Sequence, residues 1–189
     1  MKKLLLTTLI GTATLCHAFG IETSVGVTGL GVGITLPIQQ SDFSIKLNAN
    51  TFQFNDFDID ANIQSYGVLL GYNVWKGLSV NGGVYYLNGF ANDTEKFNIS
   101  ELSNQQQNAN GSVLENYQVN GLSPYVGVNY KSDIYKGWYI NTDVGVMKVN
   151  YKTDEKIIAQ VNRENYNYNQ QNNKSILMPI FKISIGFDF

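Results

Sequence analysis

Apolar and polar residues alternate one by one in short segments along this chain. The segment FKISIGFDF (181–189) has an apolar or aromatic residue at every second position, with lysine, serine, glycine and aspartate between them. A period of two predicts a β-strand whose two faces meet different surroundings. We therefore predict an all-β protein, in which the same contrast between faces recurs from strand to strand.

Seven segments show this alternation, at 22–36, 42–54, 66–74, 78–87, 122–130, 138–146 and 181–189. The apolar phase slips near Gly29, which we interpret as a bulge or bend, and flips again near Phe52. Two-sided strands of about ten residues are typical of a transmembrane barrel. A soluble sandwich or a lipocalin-like barrel alternates as well, so the alternation alone leaves both classes open.

The connections between the segments favour the membrane barrel. Short connections alternate with long ones, which cover 55–65, 88–121 and 150–175. Outer-membrane barrels have short periplasmic turns and long outer loops in this way. Aromatic residues near the segment ends are predicted to lie at the membrane interfaces: Phe43, Tyr86, Tyr130, Trp138, Phe187 and Phe189. The prediction is an antiparallel transmembrane β-barrel at positions 19–189.

Seven strands is an odd number, whereas single-chain bacterial barrels have an even one. We expect eight strands, and three places could supply the eighth. The segment 21–36 could split near Gly29, or part of 94–118 or of 156–169 could pair.

The first 18 residues have the layout of a secretory signal peptide. Two lysines precede an apolar run, and Ala18 is a suitable cleavage position. The alternative, a lipoprotein acylated at Cys16, would place the bulky Leu15 where a small residue is usual. Cleavage after Ala18 removes the chain's single cysteine and single histidine and leaves 11 basic and 15 acidic residues.

The residues that remain exclude several function classes. Without cysteine and histidine there is no Cys/His zinc site and no imidazole base, so we predict neither a cofactor nor a hydrolase or acyltransferase. A net charge of −4 without a basic stripe argues against nucleic-acid binding.

Five stretches in order resemble the CarO-like group of small outer-membrane proteins: TGLGVGI (28–34), GGVYYLN (82–88), PYVGVNY (124–130), GWYINTDVGV (137–146) and MPIFKISIGFDF (178–189). The resemblance covers most of the mature chain and implies an eight-stranded barrel that admits small solutes. The last strand, with its terminal aromatic residue, also resembles that of bacterial outer-membrane barrels generally, which implies that it is the signal read by the barrel-assembly machinery. The loops, which are rich in asparagine and glutamine, depart from the family pattern.

The inward face of the predicted strands carries polar and charged residues. The candidates for the lumen lining are Lys46, Asn48, Tyr125, Tyr139, Asn141, Asp143, Lys182 and Asp188. A charge inside a barrel must be paired or hydrated. Eight strands leave an interior that side chains can fill, so these groups form either a hydrogen-bonded plug or the wall of a narrow path.

Two of the predicted loops carry further patterns. Asp56, Asp58 and Asp60 alternate in the first long loop and offer hard oxygen ligands for Ca²⁺. Ala61 replaces the glycine of an EF-hand loop, and a solvated acidic loop is the simpler interpretation. The stretch 153–165 has early acidic residues and an apolar face, which are typical of a short helix.

The functional prediction is an integral outer-membrane protein of a Gram-negative bacterium, with a narrow porin-like channel for small hydrophilic solutes. The alternative is a sealed barrel that presents its loops to host factors, phage or partner proteins without transport. The expected partners are outer-membrane lipid and lipopolysaccharide, the barrel-assembly machinery and the transported solutes.

Overall fold

A computed structural model describes residues 19–38, 40–56, 59–98, 109–161 and 164–189. The predicted signal peptide lies outside these residues. Within them the chain forms eight strands: β1 Gly20–Gly26, β2 Gly29–Pro37, β3 Phe43–Asp56, β4 Ile59–Trp75, β5 Leu78–Asn98, β6 Ala109–Tyr135, β7 Trp138–Val161 and β8 Glu164–Asp188. No helix in the described ranges is long and apolar enough to cross a membrane.

The eight strands close into one antiparallel barrel. Each strand pairs with its neighbours in sequence, and β1 pairs with β8 to complete the ring. The predicted all-β antiparallel barrel is confirmed. Closure gives the central part of every strand a hydrogen-bonded neighbour on both sides, which a strand in hydrocarbon requires.

The eighth strand comes from the first segment. A tight turn at Val27 and Thr28 separates β1 from β2, and Gly29 has a φ of 91°, a left-handed conformation that favours glycine. The apolar phase slip near Gly29 is therefore a chain reversal rather than a bulge. The other two proposed positions hold no extra strand in the described residues, because they belong to β5, β6, β7 and β8.

The connections at one end of the barrel are short. They follow Pro37, Trp75 and Tyr135, and Phe19 and Phe189 lie at the same end. Lys136 and Gly137, between β6 and β7, both have positive φ, at 41° and 87°. Two such residues form the type I′ turn, whose twist matches that of the flanking strands. We call this the short-turn end and the opposite one the long-strand end.

The long-strand end differs from the sequence prediction. Much of what we expected to be loop continues as paired strand, for example β5 to Asn98 and β6 from Ala109. The predicted helix at 153–165 is wrong as far as Val161, since that stretch is the end of β7. Ile157 lies opposite Val113 of β6 and Tyr168 of β8. Strand partners on both sides outweigh a local helical pattern.

The barrel is apolar outside and largely polar inside. Large apolar side chains such as Val32, Leu70 and Val126 point outward with half or more of their surface exposed, while Asn81, Ser123 and Asp143 are buried. This reverses the distribution in a soluble protein and is the arrangement of an outer-membrane-type barrel.

Candidate functional site: the barrel interior

A polar vestibule of about 680 Å³ opens at the short-turn end. Its rim carries an ion pair between Lys131 and Asp188, and the Lys131 ammonium lies 4.2 Å from the centre of the Tyr139 ring. Both members of the pair are about one third exposed, so water reaches them. Deeper in, Glu22, Lys46 and Asn141 line the vestibule. Water and small polar solutes can therefore enter the barrel from this end.

A polar layer of buried side chains closes the inner end of the vestibule. Lys182 Nζ lies 3.4 Å from Glu22 Oε1 and donates to Asn48 Oδ1 at 3.3 Å. The other Glu22 oxygen accepts a hydrogen bond from Asn141 Nδ2 at 3.0 Å. These contacts join β1, β3, β7 and β8 across the barrel, so they link strands that are not neighbours.

Asn129 extends the layer toward β3 and β5. Its amide nitrogen donates to Asn141, and its oxygen accepts from Lys46 Nζ at 3.0 Å and from Ser79 Oγ at 3.3 Å. The layer holds two buried lysines and two buried carboxylates, so its formal charge is balanced. The four are Lys46, Lys182, Glu22 and Asp143. Such pairing is what makes buried charge tolerable.

Two tyrosines lie above the polar layer. Tyr125 donates to Asp143 Oδ1 at 2.5 Å, and its ring meets the Tyr85 ring edge to face, with 5.5 Å between centroids. The rings lie so close to Gly67, Gly127 and Gly145 that a Cβ at any of these positions would overlap a tyrosine. Glycine on β6 itself and on the neighbouring strands β4 and β7 thus gives the rings room in a narrow barrel.

An apolar cluster surrounds the two tyrosines and extends from them toward the long-strand end. Leu69 and Met147 are almost completely buried, and they pack with the two tyrosines and with Leu87, Val119, Val149 and Ile180. Together the polar layer, the tyrosines and this cluster occupy the middle of the barrel. An eight-stranded barrel is narrow enough for side chains to fill it in this way.

The apparent phase flip at Phe52 reflects this change of interior. Lys46, Asn48 and Asn50 face inward along β3, and Phe52 continues on the same face. The pairing of β3 with β4 runs without interruption to Asp56. The strand therefore keeps its phase, and its inward residues change from polar to apolar.

Seven of the eight predicted lumen residues are buried in the interior: Lys46, Asn48, Tyr125, Tyr139, Asn141, Asp143 and Lys182. The structure brings them together in the polar layer and its surroundings. Asp188 lies instead at the rim, where it pairs with Lys131. Their role toward a solute stays a prediction.

Glu22 and Asn129 are the residues that sequence reasoning missed. Because the apolar phase of the first segment slips near Gly29, the pattern of its second half gives no face for the first half. The signal was present, because Ile21, Thr23 and Val25 alternate with Glu22 and Ser24. The central position of Asn129 depends on cross-barrel contacts, which no single strand displays.

The predicted interface aromatics lie mainly at the short-turn end. Trp138, Phe187 and Phe189 form a chain of edge-to-face rings, with centroids 5.4 Å and 5.0 Å apart. Phe43 and Tyr130 are exposed on the same end of their strands, whereas Tyr86 lies farther up β5 and donates to Asn120. Contact of these rings with lipid headgroups stays a prediction.

The calcium candidate gains no support. Asp60 is exposed on β4, while Asp58 and the side chain of Asp56 lie outside the described residues. Among the described side chains there is no group of three or more His, Cys, Asp or Glu that could hold a metal ion.

A comparison with solved structures finds a protein of the same fold. CarO from Acinetobacter baumannii aligns with 90% of this chain and 97% of its own, with a TM-score of 0.59 and 15% identity. The chain has the fold of CarO. The resemblance drawn from the five sequence stretches is thus confirmed at the level of fold, and a fold is not a function.

LpxR from Salmonella typhimurium aligns with 90% of this chain and 99% of its own, at 8% identity and a TM-score of 0.26. That similarity is too low to carry an argument. No protein-family profile and no curated protein matches the chain.

Proposed function

We propose that this protein is a sealed outer-membrane barrel of a Gram-negative bacterium that acts at the cell surface through its long-strand end, without passing solutes. The observation that supports this is the filled middle of the barrel. A solute in the vestibule meets the cross-linked polar layer, then Leu69 and the two tyrosine rings, then Met147. Apolar constrictions of this kind resist hydration as well as passage.

The extended strands supply a surface for interaction. The pairing of β4 with β5 ends at Ile59 and Asp93. Beyond this pair, β5 to β8 continue as a sheet without β4. Its side chains are largely polar, as in the stretch YNQQNNKS (168–175). We place this sheet outside the membrane, where it can contact lipopolysaccharide, host factors, phage or neighbouring proteins.

The narrow channel is the second candidate, and the polar vestibule favours it. A solute path would need the polar layer to rearrange, with Lys46 and Lys182 lining it. This candidate predicts that Lys46→Glu or Lys182→Glu changes ion selectivity.

One experiment separates the two functions. The purified mature chain is reconstituted in planar bilayers at high protein density, together with a triple variant Leu69→Ala/Tyr85→Ala/Met147→Ala that removes the filling. We expect no conductance from the wild type and discrete conductance steps from the triple variant. The matched control is Leu70→Ala/Tyr86→Ala/Val146→Ala, whose side chains point outward. Solute-selective conductance of the wild type would overturn the sealed barrel in favour of the channel.

A further inference from the structure

The barrel wall has an opening on one side of the long-strand end. The hairpin of β1 and β2 is short: its last pairs join Gly26 to Lys182 of β8 and Leu30 to Thr51 of β3. β3 continues to Asp56, and β8 begins as early as Glu164. Above the hairpin, no strand pairing joins β3 to β8 within the described ranges. We call this gap the side opening.

The outward-facing apolar side chains form a band around the barrel, which we call the apolar belt. The side opening lies at the edge of this belt. On the outside of β8 the apolar side chains continue past Phe181 to Leu177, which is 67% exposed, and polar residues follow from Ser175. On the neighbouring β7 the belt ends between Val146 and Lys148, which lie opposite Pro179 and Leu177. The opening therefore faces the level at which hydrocarbon gives way to headgroups.

Pro179 suits an edge that stays unpaired. The backbone carbonyl of Phe181 accepts from the Val27 amide at 3.0 Å, so the polar backbone groups of Phe181 point toward the hairpin. Those of Pro179, two residues away, point to the same side. Proline has no N–H, so no unpaired donor faces the gap at this position. An unpaired strand edge is least unfavourable at proline, because an unpaired N–H donor in hydrocarbon raises the free energy of the folded state.

Behind the side opening lies an apolar cavity of about 410 Å³. Val27 and Thr28 of the hairpin, Phe52 of β3 and Met178 of β8 border it on the side of the opening. Leu87, Val119 and Met147 are buried parts of its wall. No charged side chain lines it, although the interior of such a barrel is usually polar. Its size is within the range of ligand pockets.

Three lysines lie just beyond the apolar belt, within one strand of the side opening. Lys148 and Lys152 are exposed on the outer face of β7, the strand next to β8. Lys174 is exposed on the inner face of β8, two residues above Ile176, which lines the cavity. Lys152 and Lys174 share a recess whose other lining residues are uncharged. Cations at this depth attract the phosphate of a lipid headgroup.

We propose that the apolar cavity holds one hydrocarbon chain of a phosphate-bearing lipid of the outer leaflet. The chain enters through the side opening, while its headgroup stays beside Lys148, Lys152 and Lys174. Burial of hydrocarbon against the apolar lining drives binding, and the lysines select an anionic lipid. This inference rests on the membrane placement proposed above, and it holds whether or not the barrel conducts.

The test uses the full mature chain in vesicles that contain phosphatidylglycerol with a photoactivatable group near the end of one acyl chain. After illumination, mass spectrometry locates the cross-linked residues. We expect labels on inward-facing residues of the cavity, Met147 and Met178, besides those on the outer belt. Labels confined to outward-facing residues would overturn the proposal.

Cavity-filling variants provide the matched comparison. Val149→Trp fills the cavity, and Ala91→Phe is a second filling variant in case the first does not fold; Val146→Trp adds the same bulk on the outside. We expect both filling variants to lose the labels on Met147 and Met178, and the outward variant to keep them. Unchanged interior labelling in a folded filling variant would contradict the cavity as the binding site.

Removal of the lysine charges tests whether these residues bind the lipid headgroup. Lys148→Gln/Lys152→Gln/Lys174→Gln should reduce interior labelling from phosphatidylglycerol, and the same changes at Lys76, Lys131 and Lys136 of the short-turn end should not. A phosphatidylcholine probe should label the wild-type interior less. Equal interior labelling by both lipids would overturn the selection of an anionic lipid. Conductance measured on the same samples reports separately on the sealed barrel.

Discussion

Glu22 illustrates how strongly one buried side chain affects the stability of this barrel. It is buried, contacts Lys182 of the neighbouring β8 and accepts from Asn141 of β7, so it ties together three consecutive strands at the point where the ring closes. Removing one member of a buried ion pair leaves the other charge without compensation, at a cost of about 3 kcal/mol. The exposed pair of Lys131 with Asp188 has the same chemistry but is hydrated, and such pairs contribute about 1 kcal/mol or less.

These two pairs make a prediction at the residue scale. Glu22→Gln should lower the free energy of unfolding by about 3 kcal/mol, and Glu22→Gln/Lys182→Met should recover part of the loss because no unpaired charge remains. Asp188→Asn, as the control, should change it by less than about 1 kcal/mol. Urea unfolding of the vesicle-embedded protein, followed by tryptophan fluorescence, measures all three. Equal effects of Glu22→Gln and Asp188→Asn would contradict the buried polar layer.

At the scale of the strands, the lower and upper parts of one long strand have different roles. The lower part of β6 pairs with β5 and β7 inside the belt, while its upper part, from Ala109, belongs to the polar sheet. In the membrane placement proposed above, burial of the belt in lipid stabilises the barrel. The upper sheet adds backbone pairing but few buried apolar side chains, so the barrel should fold without its top.

Shortening β5 and β6 tests this separation. Thr94 and Leu114 lie opposite each other, so an Asn-Gly turn can replace 95–113 between them. We expect a folded barrel, detected by its heat-dependent mobility on a detergent gel. A deletion of 82–85 together with 123–126 keeps the phase of both strands but removes the tyrosine level of the belt, and it should abolish folding. A failure of the first variant to fold would show that the upper sheet is needed for the barrel.

At the scale of the whole molecule, closure of the ring depends on β1, a strand of seven residues. It pairs the hairpin with β8 over its whole length, and it brings Glu22 to Lys182. Without this pairing the barrel would have two open edges inside the belt, where unpaired backbone groups are costly.

A disulfide can report on this closure. Ser24 and Ser184 lie directly opposite each other on β1 and β8, and a chain that begins at Phe19 has no other cysteine. Ser24→Cys/Ser184→Cys should oxidise to a cross-link, seen as altered mobility of the unfolded chain without reductant. Ser24→Cys/Ser44→Cys is the control, because Ser44 lies on β3, two strands from β1 around the ring. A cross-link in the control alone would contradict the strand order.

The sequence by itself determined seven alternating segments and, apart from the first half of 22–36, their faces. Alternation is a local property, so Lys46, Asn141 and Lys182 could be assigned to the interior and Phe181 and Val144 to the lipid side before any fold was known. A split near Gly29 is one of the three positions that the sequence allows for the eighth strand, because a glycine at a phase change permits a chain reversal.

Only the tertiary structure decided what fills the barrel and where its wall ends. Phe52 and Met147 face inward and line an apolar level of the interior. In the sequence alone, the change from polar to apolar residues at Phe52 resembles a phase flip, because the apolar residues of the opposite strands are not visible there. Likewise, 153–161 is a strand because β6 and β8 flank it, and the side opening exists because β1 and β2 end below their neighbours. The physical reason is the same in each case: these features depend on pairing between residues distant in sequence, and a local pattern carries no record of its partners.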